Sequence, residues 1–148
     1  MAQSDFSFFH PLRVRWAEVD MQAVVFNGHY LTYFDVALTE YWRKVGLPSP
    51  ILQAQLGTEL FVKKASLEYH ASAKFDDVLD IGVRCSKIGT TSITFLIEIY
   101  SNDQYLVSGE MIYVFVDRQD QKSTPIPVEW IEMLDLFEQS TPIAKKIN

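Results

Sequence analysis

Asp20-Met21-Gln22-Ala23-Val24-Val25-Phe26-Asn27-Gly28-His29-Tyr30 is the stretch on which the fold turns. One acid, an apolar run and an Asn-Gly turn lead straight into a strongly aromatic segment. From His29 to Val45 the polar residues Thr32, Asp35, Thr39 and Arg43 recur every three or four positions, so the spacing predicts an α-helix with one polar stripe. Tyr30, Leu31, Tyr33, Phe34, Ala37, Leu38, Tyr41, Trp42 and Val45 cover most of the remaining surface, so the helix is expected to be largely buried. Gly46 stops it, and Pro48 and Pro50 prevent its continuation. A carboxylate is thereby placed beside a helix N-terminus, where free N–H groups gather. That is a sensible arrangement for attacking an activated carbonyl.

Outward from the helix the pattern changes to period two. Upstream, Leu12, Val14 and Trp16 alternate with Arg13 and Arg15, which predicts a half-buried first strand broken at Pro11. Downstream, a short helical turn over 51–56 precedes strands over 60–69, 78–88, 92–100 and 106–116. Asp76-Asp77, Gly89-Thr90 and Asn102-Asp103 supply the turns. The last three strands form an antiparallel meander. Pro125 and Pro127 then release the chain into a C-terminal helix near Val128–Phe137. The order predicts an α+β architecture in a single domain over 1–148, with one antiparallel sheet wrapped around one long central helix. Such a sheet leaves an edge strand and apolar surface uncovered, so at least a dimer is expected.

Composition narrows the function. The 148 residues are 48% hydrophobic and 22% charged, with a formal net charge of -6. An acidic chain lacks the basic field that a nucleic-acid partner requires. The single cysteine, Cys85, excludes an intrachain disulfide and lies in an alternating strand pattern, which makes it structural. The N-terminus is polar with no apolar segment after it, and no run approaches the roughly 18 apolar residues of a membrane span. A cytoplasmic protein without a membrane partner is the expectation. His10, His29 and His70 are scattered, and no spacing resembles a zinc site, so neither metal nor cofactor is expected.

The chain resembles the hotdog-fold acyl-CoA thioesterases of the 4-hydroxybenzoyl-CoA thioesterase family. The resemblance rests on Arg13-Val14-Arg15-Trp16-Ala17-Glu18-Val19-Asp20, on Val24-Val25-Phe26, and on Asn27-Gly28-His29-Tyr30-Leu31-Thr32-Tyr33-Phe34-Asp35. It continues through Glu40 to Gly46-Leu47-Pro48 and resumes at Lys87-Ile88-Gly89-Thr90-Thr91-Ser92-Ile93-Thr94-Phe95. It implies an acyl-CoA substrate, a homodimer or homotetramer, and a catalytic acid at Asp20. Glu18 matches the upstream acidic position and is not the candidate. The family often has Gly three residues after the catalytic Asp. Here that position is Ala23, which a positive φ would strain.

Asp20 could attack the thioester directly, forming a mixed anhydride that water cleaves, or act as general base on a bound water. Backbone N–H groups from Phe26 through Asn27, Gly28 and His29 to Tyr30 are the candidate oxyanion donors and acyl contacts. His29 has an equal reading as a helix-cap neighbour, and Tyr30 and Tyr33 read first as core. Glu40 reads as a hydrogen-bonded or ion-paired acid. Arg84, Lys87, Thr91 and Ser92, around the Gly89 turn, are candidate CoA contacts, with solvated strand charges and turn roles as the alternative. Two other functions compete with hydrolysis of acyl-CoA. One is hydrolysis of acyl groups on a carrier protein, and the other is an acyl-CoA binding module without turnover.

Overall fold

The computed structural model describes residues 3–145. Met1 and Ala2, part of the polar N-terminus, lie outside them. Strand β1 (Phe9–Arg13) leads into a 3₁₀ turn (Trp16–Glu18) and a loop, then helix α1 (His29–Val45) and helix α2 (Pro50–Gln55). Strands β2 (Thr58–Tyr69), β3 (Val78–Ile88), β4 (Ser92–Ser101) and β5 (Gln104–Asp117) follow. Helix α3 (Val128–Phe137) and the two-residue strand β6 (Ala144–Lys145) close the chain.

The sheet runs β1-β3-β4-β5-β2, with antiparallel neighbours throughout, and β6 joins β3 in parallel. Two expectations need correction. The first strand does not reach Trp16: it ends at Arg13, and Trp16 is an exposed residue of the 3₁₀ turn. Nor does Pro11 break the strand, because it pairs with Asp80 inside β1. That strand lies at the sheet edge, where a residue with no N–H removes no ladder bond. The pairing of β6 has no counterpart in the periodicity, since two residues carry no period.

Helix α1 packs across the sheet through Tyr33, Phe34, Ala37 and Tyr41, all at most 1% exposed. Its seat is fixed by a close approach. A Cβ placed on Gly109 of β5 would sit 2.3 Å from the Phe34 ring and 2.7 Å from the Ser66 carbonyl. Glycine is therefore what allows helix and sheet to meet. Helix α1 stops at Gly46, which takes φ +92° and donates its N–H to the carbonyls of Trp42 and Arg43. Among the described residues, no helix is long and apolar enough to cross a membrane.

At the far side of the sheet, β2 pairs only with β5 among the described residues. Its outer edge is twelve residues long and carries the exposed Phe61, Val62 and Tyr69.

Candidate active site

The loop before α1 is a tight hairpin built around Asp20. Val19 and Val25 bridge, the Asp20 N–H donates to the Val24 carbonyl (2.9 Å), and the Ala23 N–H donates to the Asp20 carbonyl (2.9 Å). This geometry needs a left-handed residue after the turn, and Ala23 supplies it at φ +61°. The strain foreseen at this position is present, at a cost of about 1–2 kcal/mol. Surrounding bonds hold it there. The Phe75 N–H donates to the Ala23 carbonyl (3.1 Å) and the Val25 N–H to the Ala73 carbonyl (2.9 Å). The Asp20 carboxylate is exposed. One oxygen, Oδ1, accepts the Gln22 N–H at 2.8 Å. The other has no hydrogen-bond partner among the described residues.

Beneath the hairpin lies a residue that the sequence reading set aside. The Glu18 carboxylate is buried and accepts from the Arg15 N–H (2.8 Å), from Arg15 Nε (3.1 Å) and Nη2 (2.5 Å), and from the Tyr33 hydroxyl (3.0 Å). Burial alone would raise its pKa. The Arg15 and Tyr33 bonds outweigh burial and hold the carboxyl below the usual range. The Glu18 carbonyl also accepts the Phe26 N–H at 3.0 Å. One residue thus ties the 3₁₀ turn to α1 by its side chain and to the helix entry by its backbone. No local pattern marks it, because Tyr33 is fifteen positions away.

The helix entry divides the predicted donors. The Phe26 N–H is taken by Glu18, and the His29 N–H donates to the Phe26 carbonyl at 3.0 Å. The N–H groups of Asn27 and Gly28 have no backbone acceptor among the described residues. They remain the candidate oxyanion donors, at the positive end of the helix dipole. The Tyr30 side chain is a buried wall. Its hydroxyl accepts the Ala73 N–H (3.1 Å), and its ring meets Tyr33 and Tyr69 edge-on. Tyr69 in turn donates to the Asn27 carbonyl (3.2 Å), and the exposed Phe26 ring lies edge-on to His29.

The candidate CoA contacts are not gathered in the same way. Arg84 is 4% exposed, so a guanidinium offered to solvent phosphates is corrected to a buried side chain of β3. Lys87 is exposed, and Thr91 and Ser92 are half-buried. Their turn is fastened within the sheet: the Ser92 carbonyl accepts the Gly89 N–H and the Thr91 carbonyl the Phe115 N–H, each at 2.8 Å. Glu40 pairs with Arg43 on the helix surface. Cys85 is buried, and burial, reinforced by Glu138, pushes its thiol up, which makes it a poor nucleophile.

A cavity of about 700 Å³ opens along the second half of α1. Asp35, Thr39 and Arg43, three members of the helix's polar stripe, lie along it. Leu38, Trp42, Phe95, Leu60 and Tyr113 supply apolar wall from helix and sheet, and α2 contributes Gln53 and Ala54. Burial raises the Asp35 carboxyl. Burial and then Asp35 push the Tyr113 hydroxyl up to about 12. Asp20 is not among the residues lining this cavity.

Comparison with known proteins gives consistent matches. A family model described as the thioesterase-like superfamily matches residues 14–135. The acyl-CoA thioesterase YbgC of Haemophilus influenzae is 29% identical over 129 residues, covering 87% of this chain and 93% of that protein. A crystal structure of a protein from Aquifex aeolicus superposes with a TM-score of 0.79 at 26% identity, covering 86% of this chain and 98% of that one. A 1,4-dihydroxy-2-naphthoyl-CoA thioesterase from Synechocystis superposes at 0.80 with 21% identity, covering 86% and 94%, a likeness of fold alone.

Proposed function

The chain belongs to the thioesterase-like superfamily, and from that premise we propose that it is an acyl-CoA thioesterase with Asp20 as its reacting carboxylate. The curated relative named as an acyl-CoA thioesterase spans nearly the same length and supports the substrate class. The observation that carries the reading is the coupling of two features. An exposed carboxylate stands on a strained hairpin, and the Glu18–Phe26 bond ties that hairpin to a helix entry where the Asn27 and Gly28 N–H groups have no backbone acceptor among the described residues.

The chemistry follows from those parts. The N–H groups of Asn27 and Gly28 receive the thioester oxygen as it gains charge. Asp20 either attacks the carbonyl carbon or takes a proton from an attacking water. In the first route the C–S bond breaks with departure of CoA as thiolate, and water then cleaves the acyl-aspartyl anhydride. In the second, water adds and the thiolate leaves directly. Both routes release a carboxylic acid and free CoA. The site is assembled in a dimer at least, with a second copy along the free edge of β2, where Phe61, Val62 and Tyr69 would otherwise stay in water.

The deciding experiment is thiol release from a panel of acyl-CoAs by wild type and Asp20→Asn. Turnover should fall about 10²–10⁴-fold in the variant, the usual worth of a positioned acid or base. Undiminished turnover by Asp20→Asn would remove Asp20 from the chemistry. Light scattering on the intact protein tests the assembly, and a monomer at micromolar concentration would refute it.

A further inference from the structure

The proposed chemistry uses the backbone of the helix entry and leaves its imidazole without a task. His29 opens α1 and directly follows Gly28, one of the two proposed donors. It is half-buried. Among the described residues its ring nitrogens make no hydrogen bond or ion pair, and its ring contact is with Phe26, centroids 5.8 Å apart and edge-on. The same Phe26 ring lies over Gly28, where a Cβ would stand 3.2 Å from it. The backbone of Phe26 is held on both sides: its N–H donates to the Glu18 carbonyl and its carbonyl accepts the His29 N–H, each at 3.0 Å. Imidazole, ring and Gly28 are therefore gathered where the Asp20 hairpin meets the helix. Packing gives the imidazole no polar role. The helix N-cap is Gly28, with no side-chain cap bond. His70, by contrast, is bonded to Ser108 Oγ at 3.0 Å and stacked on Tyr105.

The reaction has an unmet need at this place. Both routes break the C–S bond and leave its electron pair on sulfur. An alkyl thiol has a pKa of about 8.5, so at neutral pH the sulfur ends with a proton. Asp20 reacts as a carboxylate, and Asn27 and Gly28 offer only peptide N–H groups, so none of them supplies it. We infer that His29 is the general acid, whose imidazolium gives its proton to the CoA sulfur as the C–S bond breaks. This rests on the acyl-CoA thioesterase reading and adds a catalytic residue to it, with Phe26 as a positioning residue that braces the imidazole. The protons balance in either route. In the anhydride route the neutral imidazole next takes a proton from the water that cleaves the anhydride, Asp20 departs as carboxylate, and His29 is protonated again. In the water route Asp20 takes the water's proton and returns it to His29 through solvent. Each turnover consumes one thioester and one water and yields one carboxylic acid and one thiol.

The acidity of the leaving thiol isolates the proton transfer. An acid catalyst speeds departure of an alkyl thiolate and adds little for an aromatic thiolate, which leaves without a proton. The experiment measures kcat/KM of wild type and His29→Gln on acyl-CoA and on two small thioesters of the same acyl group, one of N-acetylcysteamine and one of thionitrobenzoate. His29→Gln should lose about 10²-fold on acyl-CoA and on the N-acetylcysteamine ester, and stay within about threefold of wild type on the thionitrobenzoate ester. His29→Asn should repeat the contrast, and melting temperatures check that both variants are folded. Equal loss on the alkyl and aromatic thioesters, or no loss on either, would overturn the inference while thiol release by wild type upholds the thioesterase reading. Wild type that releases no thiol from any thioester would refute that reading and the inference with it. Full turnover by Asp20→Asn, with the leaving-group contrast intact at His29, would uphold the acid and remove Asp20 from the chemistry.

Discussion

Each end of the central helix holds a tyrosine against a buried glutamate, and the two pairs behave oppositely. Near the N-terminal end the Tyr33 hydroxyl donates to Glu18, and near the C-terminal end the Tyr41 hydroxyl donates to Glu138, both at 3.0 Å. Burial pushes both carboxyls up. At Glu18 the Arg15 guanidinium and N–H, with Tyr33, reverse the direction and hold it low. At Glu138 burial prevails over the Cys85 N–H, Tyr41 and the charge of Arg84, so it stays high. The difference is a cation in direct contact. Arg15 remains largely in water and lends its charge without the full cost of burial. Glu138 serves another need. The β3–β4 register shifts between Cys85 and Lys87, and the Cys85 N–H finds its acceptor in the Glu138 carboxylate at 2.6 Å. A buried acid next to the Asp20 hairpin is kept charged and fixes it, whereas a buried acid at the opposite end completes a bulged strand.

The strongest way to break both pairs together is to unseat the helix between them. Gly109→Ala should cost at least about 3 kcal/mol, because the new Cβ meets a fully buried ring and a strand carbonyl and neither can yield cheaply. Chemical denaturation would measure it. Next come the truncations. Glu18→Ala and Glu138→Ala should each lose about 2–4 kcal/mol by leaving a buried tyrosine hydroxyl and a backbone N–H without an acceptor. They should differ in catalysis: thiol release per folded molecule falls in the first and is retained in the second. Equal losses in both would erase the distinction between the two ends.

The amide substitutions sharpen the contrast through pH. Glu18 has a depressed folded pKa, so the stability it contributes is present above the unfolded value near 4.3 and fades as pH falls through the folded value. Glu18→Gln should therefore be destabilised at neutral pH and approach wild type in acid. Glu138 has a raised folded pKa, so its contribution is complete below that unfolded value and is lost as pH rises through the folded one. Glu138→Gln should therefore gain on wild type with rising pH. Melting temperatures across pH 3–8 would reveal opposite trends, and parallel trends would refute the assignment. The smallest effect is expected in the hairpin. Ala23→Gly removes the left-handed strain but adds unfolded-chain entropy, for a net gain of about 0.5–1 kcal/mol. A loss of stability in that variant would mean Ala23 contributes packing that outweighs its strain.

Much of the fold was legible in the chain. The polar spacing of Thr32, Asp35, Thr39 and Arg43 and the stop at Gly46 define α1 over the range found, and Gly89-Thr90 and Asn102-Asp103 define the meander turns. Asp20 stood out because an acid before an Asn-Gly turn and an aromatic helix is a local pattern. Glu18 was legible as an acid but not as a clamp, and Arg84 was legible as a cation but not as a buried one. The same stripe that marked α1 as a helix proved to line a cavity, which a period cannot foretell.

By itself, the sequence determined most of the elements and their order and singled out Asp20 as the candidate acid, because backbone periodicity, turn propensity and helix stops act between residues a few positions apart. Only the tertiary structure decided which N–H groups of the helix entry have no backbone acceptor among the described residues, which glutamate is held low and which high, and that the polar stripe of α1 lines a cavity. Those properties depend on the exclusion of water and on partners brought together across the fold, such as Tyr33 with Glu18 and Glu138 with Cys85.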